Sequence, residues 1–306
     1  MCWRLIKYKL SNSNLIIGYL SAIVAALLFG SVSTLAKPIL LEIDPIILSS
    51  IIYLIAGAFF TPGALRTHSK ITTKYYALIL TSAIAGAAIA PIIFFIGLSQ
   101  STAADTSLLA NGETVFSILF ALLIFRERLR PLGYISVTMI LIGVFLVTTN
   151  LDFDSSLFSM NIGNVLVILS TMIWGFDNNI CKIIARQIDV SKLIQLKALI
   201  GGFILMGTVF IFGIPFKIQI EQLLPIVILA VFGFAISLYL YLHSIKRIGV
   251  VKASSLLSLS AIFGLIFAIM FLHEIIGVSQ IIAISIMIFG IHLMYSYEKK
   301  GEMILK

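Results

Sequence analysis

A carboxylate, Glu113, and an amide, Asn111, lie within an apolar stretch that runs from Leu108 to Leu129. An acidic residue at the centre of a membrane helix costs roughly 2.5–3.5 kcal/mol, so such groups usually face a bundle interior or a wet cavity. At 1.5 Å per residue both side chains lie about 12–15 Å into the helix, near the middle of a bilayer. Two interpretations of Glu113 follow: it binds substrate or exchanges a proton, or it makes an interhelical hydrogen bond that fixes packing.

A second group of polar residues contains charges of opposite sign. Asp177, Asn178 and Asn179 lie towards the end of one apolar run, and Lys197 lies near the start of the next. Counting 1.5 Å per residue from the shared membrane side places Asp177 about 12 Å deep and Lys197 about 6 Å deep. Since lone charges are costly there, we predict that the two pair, directly or through Asn178 or Gln195, and close one side of a cavity. The alternative is that Lys197 reaches the membrane interface alone.

Consecutive residues on a helix point in different directions. Asp177, Asn178 and Asn179 together cover most of a helical turn, so at least one of them must hydrogen-bond sideways rather than face a cavity. The small-residue run from Ala83 to Ala90 permits either close helix contact or a lining for a transport pathway.

Four charged residues at helix ends favour structural roles. Lys37 and Lys182 are predicted to snorkel to the interface. Glu127 and Glu274 are predicted to cap a neighbouring helix or to pair with a loop cation. The four histidines have no metal-ligand spacing and the chain has no nucleotide-binding motif, so we predict neither a metal nor a cofactor.

These residues are positioned by a chain whose composition suits a bilayer. It has 306 residues, 60% of them hydrophobic and 11% charged, whereas about a quarter of a soluble domain is charged. A helix needs about 20 apolar residues to cross the hydrocarbon core. Ten runs meet or approach this length: Leu15 to Ala36, Pro45 to Leu65, Tyr75 to Leu98, Ala103 to Phe125, Pro131 to Thr149, Ile162 to Ala185, Leu193 to Ile214, Pro225 to Ile245, Val250 to Leu272 and Ile275 to Tyr295.

The loop charges alternate along the chain. One set of segments is rich in Lys and Arg, such as Arg126-Glu127-Arg128, and the other set is mainly acidic, such as Asp152 and Asp154. Because cytoplasmic loops carry the excess of positive residues, both termini are predicted to be cytoplasmic in a multi-pass protein of the cell membrane. The net charge of +8 is therefore sorted by membrane side, and we predict no nucleic-acid partner.

An internal repeat relates the two halves. Phe116, Phe120 and Glu127 recur as Phe263, Phe267 and Glu274 at an offset of 147 (274 − 127), and Gly30 and Lys37 recur as Gly175 and Lys182 at an offset of 145 (182 − 37). Five helices per half is an odd number, so the second half enters the membrane from the opposite face. The predicted fold is all-α integral membrane, with ten transmembrane helices as two inverted five-helix repeats spanning residues 15–149 and 161–296.

The sequence resembles the drug/metabolite transporter superfamily, in particular permeases with two EamA domains. The resemblance rests on the Gly30 to Lys37 segment, on Glu127 and Glu274, and on Gly143 and Gly290; two strings resemble one EamA subgroup, namely Leu109 to Glu113 and Trp174 to Asn179 followed by Lys197. It implies a permease that moves a metabolite, often by export, through a central cavity. Many relatives carry proline where this chain has Thr114 and Ala261, so we expect any kink to come from Gly112 and Gly264.

The leading hypothesis is a secondary transporter of a small polar metabolite or amino acid, with export as the expected direction and coupling to protons through Glu113 or Asp177. Its substrate-binding or coupling candidates are Asn111, Glu113, Trp174, Asp177, Asn178 and Lys197. The alternatives are a channel or sensor that does not transport, and a membrane enzyme on a lipid-linked substrate, which would need clustered catalytic groups that the sequence does not show. The expected partners are the lipid bilayer, a small-molecule substrate and protons, with monomer and homodimer left open.

Overall fold

The computed structural model describes residues 2–67, 71–125, 131–149 and 161–304. In these ranges helices are the only regular secondary structure, and each of the ten predicted runs corresponds to one helix. They are α1 (Cys2–Ile39), α2 (Pro45–Leu65), α3 (Thr73–Ser99), α4 (Ala103–Leu109 and Gly112–Phe125), α5 (Pro131–Thr149), α6 (Ile162–Ala185), α7 (Val190–Ile211), α8 (Ile220–Ile248), α9 (Val250–Leu257 and Ser260–Leu272) and α10 (Val278–Ile304).

The length and composition of the helices fit a bilayer. Five stretches are continuous and apolar enough to cross it: Leu15–Ile39, Pro45–Leu65, Thr73–Ser99, Val190–Ile211 and Ile220–Ile248. α6 has 24 residues but carries the polar group from Asp177 to Asn179, and α4 and α9 are each divided in two. The protein is an all-α integral membrane protein, as the sequence predicts.

Four helices depart from regular α-helical geometry at corresponding positions in the two halves. α3 contains a π-helical segment, Ala85–Ile89, and α8 contains another, Leu229–Ile236. α4 is interrupted at residues 110–111 and α9 at residues 258–259. Gly86 and Asn111 correspond to Gly233 and Ser258 at the same offset (233 − 86 = 258 − 111 = 147), so the irregularities are part of the repeat.

The contact between α2 and α7 is reciprocal. A methyl group added at Gly57 would lie 2.6 Å from Cγ of Leu199, and one added at Gly202 would lie 2.9 Å from Cγ of Leu54. Both pairs are related by one offset (202 − 57 = 199 − 54 = 145), so each helix presents to its partner the surface that the partner presents to it. Such close contacts through small residues are how helices associate in lipid, where apolar burial gives little driving force.

The contact of α1 with α9 in the same way corresponds to the contact of α6 with α4. A methyl group at Gly30 would lie 2.9 Å from Cβ of Phe263, and a methyl group at Gly175 would lie 2.7 Å from Cβ of Phe116. These contacts join the residue pairs that the sequence repeat aligns. The pseudo-two-fold axis therefore passes between the halves, through the contacts of α2 with α7 and of α5 with α10.

The two halves run in opposite directions. Lys37, at the end of α1, donates a hydrogen bond to the carbonyl of Leu98 at the end of α3. The start of α6 lies at this same end of the bundle, because Gly163 packs against Gly97 and Gln100. Lys182 lies 19 residues further along α6 (182 − 163), about 28 Å away at 1.5 Å per residue. The prediction that Lys37 and Lys182 lie on opposite sides is confirmed, and we name the two ends of the bundle after them.

Candidate functional site

A small cavity lies where the two halves meet, and we call it the central cavity. It is lined by Phe29, Tyr53, Gly86, Glu113, Trp174, Asp177, Asn178, Lys197, Gly233, Phe234, Ser237, Leu238, Tyr241 and Leu257. The π-helical segments of α3 and α8 both contribute to the wall, through Gly86 and through Gly233 and Phe234. About 50 Å³ is accessible to the centre of a water molecule. This volume holds a few waters but not a metabolite, since a single water needs roughly 10–15 Å³ of space accessible to its centre.

Glu113 faces this cavity from the first half. It follows the interruption in α4 and its residue is 8% exposed. The side chain of Asn178, from α6 of the second half, donates a hydrogen bond of 2.7 Å to Oε1 of Glu113 and another of 3.2 Å to Oγ of Ser117. The carboxylate therefore points into the space between the halves and away from lipid.

Asp177 and Lys197 form an ion pair in which Nζ of Lys197 contacts Oδ2 of Asp177 directly. The two residues are 1% and 4% exposed. Asp177 also accepts a hydrogen bond of 2.5 Å from the hydroxyl of Ser82 on α3. The structure thus contains the pair that the helix depths predict, and neither Asn178 nor Gln195 bridges it.

Gly86 connects this ion pair to the π-helical segment of α3. Its carbonyl oxygen accepts two hydrogen bonds of 3.0 Å, one from the hydroxyl of Tyr53 and one from Nε1 of Trp174. A methyl group at Gly86 would overlap the carboxylate of Asp177 and would lie 2.9 Å from Nζ of Lys197. A π-helical turn frees backbone groups from the regular ladder. Here the freed carbonyl holds two aromatic side chains beside the charges.

The counterpart of this contact in the other half is apolar. The residues that correspond to Asp177 and Lys197 at an offset of 145 are Val32 and Ile52. A methyl group at Gly233 would lie 3.0 Å from Cγ2 of Val32. A methyl group at Gly86, the equivalent position in the first half, would contact the ion pair instead. The packing is therefore symmetric while its chemistry is not.

Aromatic rings close the cavity towards the Lys37 end. Ring centroids are 5.1 Å apart for Phe94 and Trp174, 6.2 Å for Phe29 and Trp174, and 6.5 Å for Phe29 and Phe234. These separations suit edge-to-face and tilted contacts, which favour aromatic pairs beyond their buried area. Phe94 lies eight residues after Gly86 in α3, on the Lys37 side of the cavity (94 − 86 = 8). Trp174, a candidate from the sequence, belongs to both this layer and the cavity wall.

Two other polar residues lie away from the cavity. Asn111 is 2% exposed and its Nδ2 lies 3.8 Å from Sδ of Met287 on α10. It does not line the central cavity, although the sequence makes it a candidate beside Glu113. Asn179 donates to the backbone carbonyls of Ser117 and Gly175. It is the member of the Asp177 to Asn179 group that bonds sideways.

The helix-end residues have defined partners. The carboxylate of Glu274 accepts hydrogen bonds of 2.9 and 2.8 Å from the backbone N–H groups of Ala103 and Ala104, and so caps the start of α4. Lys37 donates to the carbonyls of Leu98, Ser99 and Ser101, so it binds the end of α3 rather than snorkelling alone. Lys182 lies near the end of α6, and Glu127 lies outside the described residues.

Sequence analysis missed most of the cavity wall. Phe29, Tyr53, Phe234 and Tyr241 are aromatic residues in aromatic-rich apolar helices, so nothing in their type sets them apart. Gly86 does carry a signal, because it aligns with Gly233 within the repeat and lies in the small-residue run from Ala83 to Ala90. The two interpretations of that run are close helix contact and a lining for the pathway, and Gly86 lines the cavity.

Comparison with known proteins bears on the function. The model of the EamA-like transporter family matches residues 16–149 and again residues 161–296. The chain belongs to the EamA-like transporter family. A protein of Methanothermobacter thermautotrophicus, named as an uncharacterized transporter, is 32% identical over 296 residues, which cover 91% of this chain and 86% of the relative. A protein of Clostridium kluyveri with the same name is 22% identical over 307 residues, covering 93% and 95%.

A solved structure supports the fold alone. A crystal structure described only as that of a protein superposes with a TM-score of 0.67 at 16% identity, covering 95% of this chain and 99% of the other. Membership of the EamA-like family, together with the named relatives, indicates a membrane transporter rather than an enzyme. The bilayer and a small-molecule substrate are the partners that a transporter of this kind requires.

Proposed function

We propose that this protein is a secondary transporter that moves a small polar metabolite or amino acid across the cell membrane by alternating access, with the central cavity as its substrate site. The observation that carries the proposal is the meeting of Glu113 from the first half with Asn178, Asp177 and Lys197 from the second half at one buried point. Ionisable side chains within membrane helices are costly and usually belong to substrate or ion pathways. Inverted repeats place such sites between the halves, near the midplane.

The irregular helices support movement around this site. Interrupted helices and π-helical turns are places where a helix bends or changes register. All four irregularities lie at repeat-related positions, so a bend in one half has an equivalent in the other. Because the cavity is too small for a metabolite, transport requires the halves to open, and the symmetry supplies two equivalent openings.

The proposed roles divide the charged residues. Glu113 binds substrate or carries the proton that drives export. Asp177 and Lys197 close the cavity on the Lys182 side while they are paired. Asn178 orients the Glu113 carboxylate, since its amide holds one of the two oxygens.

The topology that accompanies this proposal follows the loop charges. Both termini and the Lys182 end are cytoplasmic, and the Lys37 end faces outwards. The two five-helix domains span residues 15–149 and 161–296. The oligomeric state, monomer or homodimer, does not alter the site, because the central cavity is built by a single chain.

Counterflow in proteoliposomes tests the proposal. Purified protein is reconstituted, the vesicles are loaded with one unlabelled compound from a panel of amino acids, amines and organic acids, and uptake of the same compound in labelled form is followed. A carrier gives saturable uptake that is accelerated by the unlabelled compound inside, whereas a channel gives neither saturation nor acceleration. Protein-free vesicles and the Glu113→Gln variant are the controls. Flux that rises linearly with concentration would overturn the proposal.

A further inference from the structure

The hydrogen-bond donors of the central cavity are already engaged with the protein. Tyr53 and Trp174 donate to the carbonyl of Gly86, and the hydroxyl of Ser237 donates to the carbonyl of Ala25. Tyr241 shares a hydrogen bond of 2.7 Å with Ser254. Both N–H groups of Asn178 have partners, namely Glu113 and Ser117. Among the described residues, the neutral side-chain donors of the cavity wall are therefore engaged with the protein, except that the hydroxyl of Tyr241 is free to donate when Ser254 is the donor of their shared hydrogen bond.

The charged residues of the cavity wall also disfavour an anionic substrate. Lys197 is its cationic residue, and the direct contact with Asp177 neutralises it. Among the described residues, Glu113 has a polar amide as its partner and no cation, so the three charges of the wall sum to one negative charge when all are ionised. A substrate anion would have to share the ammonium of Lys197 with the carboxylate of Asp177, or displace Asp177 from a buried ion pair, and breaking such a pair is strongly unfavourable.

Several backbone N–H groups at the two interrupted helices are engaged as well, and Gly112 and Ser260, which directly follow the interruptions, are not part of the cavity wall. Interrupted helices can direct free N–H groups at an anionic substrate. At the interruption of α4, however, the N–H of Glu113 donates to the carbonyl of Ala110, and the N–H of Thr114 donates to the carbonyl of Asn111. At the interruption of α9, the N–H groups of Ala261 and Ile262 likewise donate to carbonyls of the preceding turn.

The rest of the wall suits a cation. Phe29, Tyr53, Trp174 and Phe234 surround the space beside Glu113. The face of an aromatic ring attracts an organic cation, and it does so more strongly where water is excluded. A carboxylate together with several aromatic rings is thus the recognition chemistry of an amine or a quaternary ammonium group.

We infer that the substrate is a small organic monocation, with its positive group beside Glu113 and its apolar part against the aromatic rings, and that zwitterions and anions are discriminated against. This inference rests on the proposed function and narrows its substrate class from small polar metabolites and amino acids to amines. The ion pair of Asp177 and Lys197 also affects selectivity, because Asp177 already occupies the ammonium that the carboxylate of an amino acid substrate would bind.

Three compounds of matched shape test the inference: phenethylamine as the cation, L-phenylalanine as the zwitterion and 3-phenylpropanoate as the anion. The chain has two tryptophans, Trp3 and Trp174. The Trp3→Phe variant therefore leaves Trp174 as the single tryptophan, and its fluorescence, excited at a wavelength that the ligands do not absorb, reports binding in the cavity independently of transport. Counterflow with the same three compounds is measured in parallel.

We expect phenethylamine to change the Trp174 fluorescence saturably, with an affinity at least tenfold above that of phenylalanine, and 3-phenylpropanoate to bind most weakly. Glu113→Gln in the same background should reduce the affinity for the amine at least tenfold and leave the anion unaffected. Glu221→Gln, which changes an exposed carboxylate outside the cavity, should alter none of the three affinities.

Equal or tighter binding of phenylalanine or of the anion would overturn the inference, as would the absence of saturable binding by the amine. Counterflow of a zwitterion without counterflow of the amine would refute the cation while leaving the transporter intact. Amine binding with the predicted preference, but without counterflow of any compound, would support the charge preference and count against transport.

Discussion

A double-mutant cycle on Asp177 and Lys197 tests the buried ion pair. The pair is nearly inaccessible, with residues 1% and 4% exposed, so a partner left alone is poorly solvated. Removing one partner of a buried pair typically costs about 3–5 kcal/mol because the other charge is stranded. We therefore expect Asp177→Asn and Lys197→Met each to lower the free energy of unfolding by about that amount.

The double variant Asp177→Asn with Lys197→Met leaves no stranded charge. We expect it to be more stable than either single variant, with an interaction energy of about 2 kcal/mol or more, near the upper part of the range for residues in contact. The free energy of unfolding is measured in detergent micelles by titration with denaturant, with Trp fluorescence as the signal.

The matched control changes two exposed charges at the Lys37 end. Lys217→Met and Glu221→Gln should each shift the free energy of unfolding by no more than about 0.5 kcal/mol, as surface substitutions usually do. If the losses at Asp177 and Lys197 add without interaction, the two charges are independent and the proposed closure of the cavity by their pairing is wrong.

Three further predictions use single substitutions. Glu113→Gln should leave the protein folded, because the new amide oxygen can accept the hydrogen bond that Asn178 donates. The substitution should remove the pH dependence of uptake in proteoliposomes. Unaltered pH dependence would make Glu113 a packing residue. Gly86→Ala should cost about 1–3 kcal/mol in the same unfolding titration, because its methyl group would crowd the carboxylate of Asp177 and then the ammonium of Lys197. Gly207→Ala has no atom within 4 Å of the added methyl group, so it should be neutral or stabilising by up to about 1 kcal/mol, and equal effects of the two substitutions would argue against the crowding. Glu274→Ala removes the cap from the first two N–H groups of α4 and should cost about 0.5–2 kcal/mol, and wild-type stability in that variant would show that water replaces the cap.

The depth of each polar side chain in the membrane could be predicted from the sequence. The direction in which the side chain points around its helix axis could be predicted only in part. Counting residues from the helix ends placed Asp177 and Lys197 at compatible depths, and they pair. The same count gave Asn111 and Glu113 similar depths, but residues two apart on a helix do not share a face. The interruption at residues 110–111 lies at this point, and Asn111 contacts α10 while Glu113 faces the cavity.

The interruptions themselves were only partly predictable. Neither contains a proline, and the expected glycine kinks fit one helix and not the other. The interruption in α4 directly precedes Gly112, but the one in α9 lies at residues 258–259, five residues or more before Gly264. Gly264 instead packs against α4 and α1, where a methyl group would lie 2.5 Å from Cβ of Ser107 and 3.0 Å from the carbonyl oxygen of Gly30. The helix count, the repeat and the direction of each half were predictable because hydropathy and loop charge set them without reference to packing.

The unequal chemistry of the two symmetric contacts also bears on how such a chain can be assembled. A symmetric dimer of first halves would place Val32 and Ile52 at both contacts and would contain two copies of Glu113 without Asn178 beside them. A dimer of second halves would contain two ion pairs and no Glu113. The single site that joins one Glu113 to one ion pair therefore exists only when one copy of each half is present, and covalent fusion of the halves fixes that one-to-one stoichiometry at synthesis.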